Sequence, residues 1–187
     1  MNVEIEARLL DCNVSEIIEK LKRLGAKFIG DWLQIRNCYD FNPKKENSWI
    51  RLRTNGFETT LTIKEIQTSK IDGTKECEVV VSDFNKTDEI LNKLGYIART
   101  KQENRRIRFV LDEVEVDIDF WPMIPAYVEF EADSEDKIKN ICKKLNIDFN
   151  DLVSLDVERV YNKYGININD FAMLELDEKT KLQKFDL

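Results

Sequence analysis

The sequence predicts an α+β fold in a single domain, dominated by antiparallel strands. Ten short segments alternate apolar and polar residues, whereas only three stretches show clear helical spacing. The 187 residues are enough to bury one substantial core, and 6 Gly and 3 Pro leave little room for linkers. We therefore expect no second core.

The strand predictions rest on a period of two, which places apolar side chains on one face of each segment. The predicted strands cover 2–10, 27–32, 34–41, 49–54, 59–65, 75–81, 97–102, 105–111, 114–121 and 126–131. Turn signals separate several of them, and the strongest is the Asn55-Gly56 pair, which is typical of a hairpin. These features predict an antiparallel sheet.

Three amphipathic helices are expected outside the strands. The first begins after a cap near Asn13 and ends at Gly25, and the second covers 85–94. The third begins at Ser134, which has a residue type that favours the N-cap position. The last stretch, 169–187, has a weaker helical pattern.

A Glu-x-Glu pair recurs on three predicted strands, and each of these strands precedes a helix. The pairs are Glu4 with Glu6, Glu76 with Glu78, and Glu129 with Glu131. The first two helices also end alike, in Leu-Gly, and both are followed by strands rich in Arg and Lys. This order indicates a pseudo-duplicated sheet, which can curl into a closed barrel.

Charged residues at i and i+2 share one face of a strand, so whole faces of the predicted sheet carry charge. The basic pairs are Arg51 with Arg53 and Arg106 with Arg108, Lys64 ends a further strand, and Glu115, Asp117 and Asp119 form an acidic run. Any single charged face is more commonly turned to solvent. The combined set instead favours a barrel interior in which carboxylates hold a divalent metal and basic side chains hold phosphate oxygens, as a triphosphate requires.

Composition excludes several classes of site. The chain has no histidine, which rules out Ser-His-Asp triads, HExxH metal sites and phosphohistidine chemistry, so a bound metal would have oxygen ligands. No GxxxxGK[ST] phosphate loop occurs. The four cysteines lack CxxC spacing and indicate neither a zinc site nor a disulfide framework.

The net charge of −7 argues against non-specific nucleic-acid binding, which depends on a surplus of Lys and Arg. The N-terminus has no apolar stretch suited to a signal peptide, and no segment approaches the length of a membrane span. We expect a cytoplasmic protein without nucleic-acid or membrane partners. A homodimer stays an open alternative.

In order and spacing, these motifs resemble the CYTH family, named for class IV adenylate cyclase and thiamine triphosphatase. The family opens with Glu-x-Glu-x-Lys, and this chain has Glu4-Ile-Glu6-Ala-Arg8. The resemblance continues through Trp49-Ile-Arg51-Leu-Arg53, Thr60-Leu-Thr62-Ile-Lys64-Glu65, Glu76-Cys-Glu78, Glu115-Val-Asp117-Ile-Asp119-Phe-Trp121-Pro122 and Tyr127-Val-Glu129-Phe-Glu131. It implies an eight-stranded antiparallel barrel, a triphosphate tunnel, with short amphipathic helices outside. We expect the domain to cover 1–165, with 166–187 packing on it or extending from it.

The resemblance also implies roles for individual residues. The triphosphate would be gripped by Arg51, Arg53, Lys64 and one or more of Lys101, Arg106 and Arg108. Mg²⁺ or Mn²⁺ would be held by Glu4, Glu6, Asp119, Glu129 and Glu131, with Glu78 either assisting them or pairing with a basic neighbour. Arg8 and Glu6 would be catalytic, although Arg replaces the family's Lys at position 8. The family's Lys-x-Arg pair aligns either at Lys101 with Glu103 or at Arg105 and Arg106.

The resemblance implies a metal-dependent enzyme with a small-molecule triphosphate substrate. The expected activity is that of a class IV adenylate cyclase, which converts ATP to cyclic AMP and pyrophosphate. An inorganic or thiamine triphosphatase that releases orthophosphate is the alternative within the family. A non-catalytic nucleotide or polyphosphate binding module is the alternative from another class, motivated by Arg8.

Overall fold

The computed structural model describes residues 2–68 and 70–187, and the side chains of Asn2 and Glu4 lie outside this description. Its strands are β1 (Asn2–Leu9), β2 (Lys27–Tyr39), β3 (Ser48–Thr54), β4 (Thr59–Ile66), β5 (Thr74–Val81), β6 (Ala98–Leu111), β7 (Val114–Phe120), β8 (Tyr127–Ala132) and β9 (Met173–Leu174). Its α-helices are α1 (Val14–Arg23), α2 (Phe84–Lys93), α3 (Glu135–Leu145), α4 (Val157–Lys163) and α5 (Glu178–Leu182).

Eight of these strands form a closed antiparallel ring, which confirms the predicted barrel. The ring order is β2-β3-β4-β5-β1-β8-β7-β6, and β6 pairs back onto β2. The short strand β9 adds to β6 in parallel. The ring is symmetric about the β5–β1 pair, because each half consists of one strand, one helix and three further strands. The predicted duplication therefore corresponds to two equivalent halves.

Two strand boundaries predicted from the sequence are wrong. The segments 27–32 and 34–41 belong to the single strand β2, and the segments 97–102 and 105–111 belong to the single strand β6. The two long strands pair with each other from Lys27 opposite Val110 to Tyr39 opposite Ala98. Apart from two register shifts, this ladder supplies backbone hydrogen-bond partners along β6 and so keeps its polar centre extended. The same ladder closes the barrel.

The weak helix predicted at 169–187 is largely absent from this part of the structure, where only α5 is α-helical. Arg105 on β6 donates from Nη1 to the carbonyl oxygens of Thr180 and Gln183, at 2.8 and 2.6 Å. These carbonyls are therefore satisfied by a barrel side chain instead of by a longer helix.

Both residues expected to cap a helix lie at the N-cap position, but only one of them makes a capping hydrogen bond through its side chain. The Asn13 side chain accepts a hydrogen bond from the amide of Glu16, as expected of an N-cap. Ser134 occupies the N-cap position of α3 but makes no capping hydrogen bond through its side chain. Acidic residues in the first turn of α3 still favour its N-terminus, because they interact with the helix dipole.

The apolar core lies between the outer face of the barrel and the helices. Helices α1 and α3 pack over β6, β7 and β8, where Leu21 and Ile141 join Ile107 and Val116 in one buried cluster. Helix α2 covers a second cluster on β2 and β3. Because the apolar faces of the strands point toward the helices, the alternating charged faces point into the barrel. In the described part of the chain, no helix is both long and apolar enough to cross a membrane.

Candidate active site in the barrel interior

The barrel encloses a cavity of about 850 Å³ that is lined mainly by charged side chains. Each of the eight ring strands contributes at least one lining residue, and the N-terminal part of α4 contributes others at one end. The lining thus combines carboxylates and guanidiniums from strands that are distant in sequence.

One side of this interior is the acidic wall, which comprises Glu6 on β1, Asp117 and Asp119 on β7, and Glu129 and Glu131 on β8. Arg106 on β6 binds Asp119 in a bidentate manner, with Nε–Oδ1 and Nη2–Oδ2 distances of 2.8 and 2.5 Å. It also contacts Asp117 at 2.5 Å and Glu129 at 3.0 Å. Burial acts to lower the pKa of Arg106, but Asp117 and Asp119 outweigh burial and raise it.

Arg108, two residues further along β6, repeats this pattern nearer the barrel end. Its Nε and Nη2 atoms donate to the two carboxylate oxygens of Asp117 at 2.7 and 2.6 Å, and its Nη1 lies 2.6 Å from Glu115. Asp117 is 1% exposed and is shared by Arg106 and Arg108. Both arginines of this predicted pair therefore already have carboxylate partners.

Arg8 lies at the position of the family's lysine and joins two strands of the acidic wall. Its Nη2 is 2.5 Å from Glu129 and 3.2 Å from Glu6, and its Nη1 donates to the carbonyl oxygen of Leu155, just before α4. Burial acts to lower the pKa of Arg8, but Glu129 and Glu6 outweigh burial and raise it above the ordinary value. Arg8 therefore stays protonated and holds these carboxylates in place.

Glu131 is the carboxylate of this wall with a strongly raised pKa. In the strand register it lies between Glu6 on one side and Glu115 on the other. Burial, together with the charges of Glu129 and Glu115, raises the pKa of Glu131 to about 7. For Glu129 itself, burial acts to raise the pKa, but Arg8 and Arg106 outweigh burial and lower it strongly.

The opposite side is the basic wall, which comprises Arg36 on β2, Arg51 and Arg53 on β3, and Lys64 on β4. Lys64 lies 2.9 Å from Glu76 on β5.

The arginines of the basic wall have few carboxylate partners. Glu78 on β5 is 3.3 Å from Arg51 and 3.8 Å from Arg53, and it also accepts a hydrogen bond from Thr62 at 2.6 Å. The charge of Arg51, followed by burial and by Arg36, holds the pKa of Arg53 well below its usual range. The guanidiniums on this wall therefore repel one another.

Several buried donors in the cavity lining have no hydrogen-bond partner among the described residues. They are Nε of Arg8, Arg36 and Arg51, and Nε1 of Trp121. All four are N–H groups, and buried donors without acceptors are costly and uncommon in folded proteins. The cavity is therefore suited to a ligand rich in acceptor oxygens.

The structure brings most of the predicted site residues to this one cavity. Those lining it are Glu6, Arg8, Arg51, Arg53, Lys64, Glu78, Arg106, Arg108, Glu129 and Glu131. Asp119 is fully buried behind Arg106. Glu78 pairs with the basic wall, which is the second of its two predicted alternatives. The side chain of Glu4 lies outside the described residues.

The placement of Lys101 corrects its predicted role in phosphate binding. Lys101 is exposed and does not line the cavity. Because side chains alternate along β6, the inward positions are those of Gln102, Asn104 and Arg106, and Lys101 belongs to the outer face. Of the two alignments considered for this strand, the first therefore leaves its lysine outside the barrel.

Sequence reasoning missed Arg36 and assigned no individual role to Asp117, although both are central to the site. Arg36 lies on the basic wall, and Asp117 is the shared acceptor of two arginines on the acidic wall. The signal for Arg36 was the Gln34-Ile-Arg36 alternation, which places two polar residues on one face of β2. The signal for Asp117 was its place between Glu115 and Asp119 in the acidic run.

The carboxylates of the acidic wall fit a divalent metal that arrives with phosphate. Among the described residues, no three acidic or cysteine side chains are grouped so that they could hold a metal ion by themselves. Mg²⁺ commonly uses only one or two protein carboxylates and completes its shell with phosphate oxygens and water. Glu6 and Glu131 are adjacent across β1 and β8 and supply two such carboxylates.

The CYTH domain family model matches residues 2–161. A Methanocaldococcus jannaschii protein named as a candidate adenylate cyclase is 27% identical over 168 residues, which are 82% of this chain and 94% of that relative. A Pyrococcus horikoshii structure superposes with a TM-score of 0.71 at 22% identity, covering 82% of this chain and 96% of its own.

A Hippeastrum structure, described as that of a candidate adenylyl cyclase with a dominant triphosphatase activity, has a TM-score of 0.58 at 14% identity. It covers 91% of this chain and 100% of its own. At these identities the two structural likenesses show a shared fold.

Proposed function

Because this chain belongs to the CYTH family, we propose that it is a divalent-metal-dependent enzyme that acts on a triphosphate in its barrel cavity. The proposed reaction is that of a class IV adenylate cyclase, in which ATP gives cyclic AMP and pyrophosphate. The relative named as a candidate adenylate cyclase, at 27% identity, favours this reaction.

The observation that carries the proposal is the convergence of unpaired buried N–H donors on one cavity that also contains carboxylates. Arg36 and Arg51 on one wall and Arg8 on the other line the cavity, and the Nε of each is buried without an acceptor among the described residues. Phosphate oxygens are strong acceptors, and guanidinium groups bind them in a geometry that Lys cannot match. A triphosphate lying between the two walls would satisfy these donors.

In this mechanism the basic wall binds the phosphates and neutralises the charge that develops during transfer. Arg51, Arg53 and Lys64 hold the leaving pyrophosphate, while the 3′-hydroxyl attacks the α-phosphorus, the bond from this phosphorus to the bridging oxygen breaks, and the hydroxyl proton passes to water. Arg8 keeps its proton, so its role is to orient Glu6 and Glu129. Glu6 and Glu131 would hold Mg²⁺ or Mn²⁺, which would supply Lewis-acid polarisation of phosphate oxygens.

Hydrolysis is the second candidate function. The same walls would hold a triphosphate whose terminal phosphorus is attacked by water, so that the bond to the bridging oxygen breaks, the diphosphate leaves and orthophosphate is released. This candidate is supported by the Hippeastrum protein of similar fold, which is described with a dominant triphosphatase activity. The nucleophile, and not the phosphate-binding wall, distinguishes the two reactions.

The test is to incubate the purified chain with ATP, thiamine triphosphate and tripolyphosphate, each with Mg²⁺ or Mn²⁺, and to resolve the products. Cyclic AMP and pyrophosphate from ATP are expected. ADP and orthophosphate from ATP without cyclic AMP, or hydrolysis of thiamine triphosphate or tripolyphosphate alone, would indicate a triphosphatase instead of a cyclase. Tight triphosphate binding without turnover under either metal would instead indicate a non-catalytic binding module, and an absence of binding would refute the proposal altogether.

A further inference from the structure

Arg36 differs from the other buried arginines of the cavity in the chemistry of its partners. Its Nη2 donates to the amide oxygens of Gln34, at 3.0 Å, and of Asn104. Its guanidinium carbon lies 4.5 Å from the ring centroid of Trp121. Within residues 2–68 and 70–187, no carboxylate forms an ion pair with Arg36, although it is only 5% exposed.

These partners fix the direction of the side chain without neutralising its charge. An amide oxygen accepts a hydrogen bond but carries no formal charge, and an aromatic face stabilises a cation without removing it. Asn104 is itself oriented, because its Nδ2 donates to Asp119 at 3.1 Å and leaves its oxygen for Arg36. Arg8 and Arg106 provide the contrast, because carboxylates neutralise both of them.

The neighbours of Arg36 add to this excess of positive charge. Arg36 pairs directly with Arg53 in the β2–β3 register, and like charges opposite each other in a sheet are destabilising. Burial, followed by the charge of Arg51, lowers the pKa of Arg36 to about 10. Its Nε has no acceptor among the described residues, and Arg36 is one of the residues that line the cavity.

We propose that Arg36 is a phosphate-binding residue of this cavity, and that Gln34, Asn104 and Trp121 form a neutral cradle that holds it ready for a phosphoryl group. The inference rests on the proposed function, since it assigns a further contact to the same triphosphate. Its guanidinium donates to phosphate oxygens between the walls, next to the contacts made by Arg51 and Arg53. Arg36 thereby adds a third guanidinium to the phosphate-binding side.

The test measures the affinity for inorganic tripolyphosphate by titration calorimetry, with and without Mg²⁺. Arg36→Met should weaken binding by at least about tenfold, which is the loss expected for one charge-assisted contact. Arg36→Lys keeps the charge and should recover part of the affinity. Melting temperatures and circular dichroism of the ligand-free variants verify that each one folds.

Gln34→Glu tests the neutral cradle while leaving Arg36 in place. A carboxylate 3.0 Å from Nη2 would neutralise the guanidinium, so the ligand-free protein should melt at the same or a higher temperature and bind tripolyphosphate about tenfold more weakly. Gln183→Glu is the matched control, because it makes the same charge change at an exposed position outside the cavity. It should leave the affinity unchanged.

Two results would overturn the inference. One is wild-type affinity in Arg36→Met. The other is a lower melting temperature in Arg36→Met with undiminished binding in Gln34→Glu, which would assign Arg36 a purely structural role against Trp121. If the wild-type chain binds neither tripolyphosphate nor ATP, the proposed function fails as well. If all variants bind and turn over substrate like the wild type, only the role of Arg36 fails.

Discussion

On the acidic wall each guanidinium lies between carboxylates, whereas on the basic wall guanidiniums lie next to one another. Arg106 contacts three carboxylates, and the pKa of Arg106 is raised. Arg53 has one carboxylate at 3.8 Å, and Arg51 lowers the pKa of Arg53. The arginines of the acidic wall therefore already have close carboxylate partners, whereas the arginines of the basic wall have fewer and longer ion pairs.

This contrast separates two equivalent halves of the barrel. In the symmetric ring, β3 of the first half corresponds to β7 of the second, yet β3 carries arginines where β7 carries aspartates. The two halves share a fold but have opposite charge on these equivalent strands. We infer that removing charge from one wall affects folding stability, while removing charge from the other affects ligand binding.

The largest expected effect is on the acidic wall. Asp117→Asn would leave Arg106 and Arg108 without their shared buried carboxylate, and breaking such a buried ion pair costs about 3–5 kcal/mol of unfolding free energy. Urea denaturation of the ligand-free protein measures this loss. Asp112→Asn is the control, because its ion pair with Lys144 is exposed and contributes about 1 kcal/mol or less. A loss for Asp117→Asn no larger than the control value would contradict the contrast.

The second effect is on the basic wall and concerns ligand binding. Arg53→Met removes a cation that Arg51 repels, so the ligand-free melting temperature should stay the same or rise. Turnover should fall by about 100-fold, since donors to transferring phosphates contribute on that scale. Thermal shift with and without tripolyphosphate and a product assay test both parts. A strongly destabilised Arg53→Met with normal turnover would reverse the roles of the two walls.

A smaller effect concerns the pH dependence of the metal-free protein. The pKa of Glu131 is raised to about 7, so the folded state holds this proton more tightly than the unfolded chain. The resulting stability is present at acidic pH and is lost as pH rises through about 7. In EDTA, the melting temperature of the wild type should therefore fall relative to Glu131→Gln between pH 5 and pH 8. A constant difference would show that Glu131 has an ordinary pKa.

The smallest effect is expected at Lys101, on the outer face of β6. Lys101→Met should change the unfolding free energy by no more than about 0.5 kcal/mol and should leave tripolyphosphate affinity unchanged. Calorimetry beside the Arg53→Met variant provides the comparison. A loss of affinity in Lys101→Met would instead support the alignment in which Lys101 and Glu103 take the place of the family's Lys-x-Arg pair. It would also indicate that the side chain of Lys101 reaches the cavity.

Local patterns were sufficient to predict most of the barrel. Alternation located every ring strand, and the Glu-x-Glu pairs marked β1, β5 and β8, which are neighbours in the ring. The errors fell where polar residues interrupt an apolar pattern, as in the centre of β6. There the pairing with β2 keeps the chain extended, and a local pattern does not contain that information.

The sequence could predict which residues line the candidate site, but not which of them form ion pairs with one another. The i, i+2 rule identified the inward residues of β3, β6 and β8, because side-chain direction depends only on the local backbone. Arg36 escaped because its strand shows a single inward cation between neutral residues. The partners of Arg8 escaped because Glu129 and Leu155 are distant in sequence.

The sequence by itself determined that charged faces of both signs alternate with apolar faces, and the lack of histidine limits any metal to oxygen or sulfur ligands. Only the tertiary structure decided which charges neutralise each other. Ion pairing depends on the register between strands, and ring closure places β6 beside both β2 and β7. For that reason Arg106 lies among carboxylates while Arg36 and Arg53 face the cavity with their charge unopposed or nearly so.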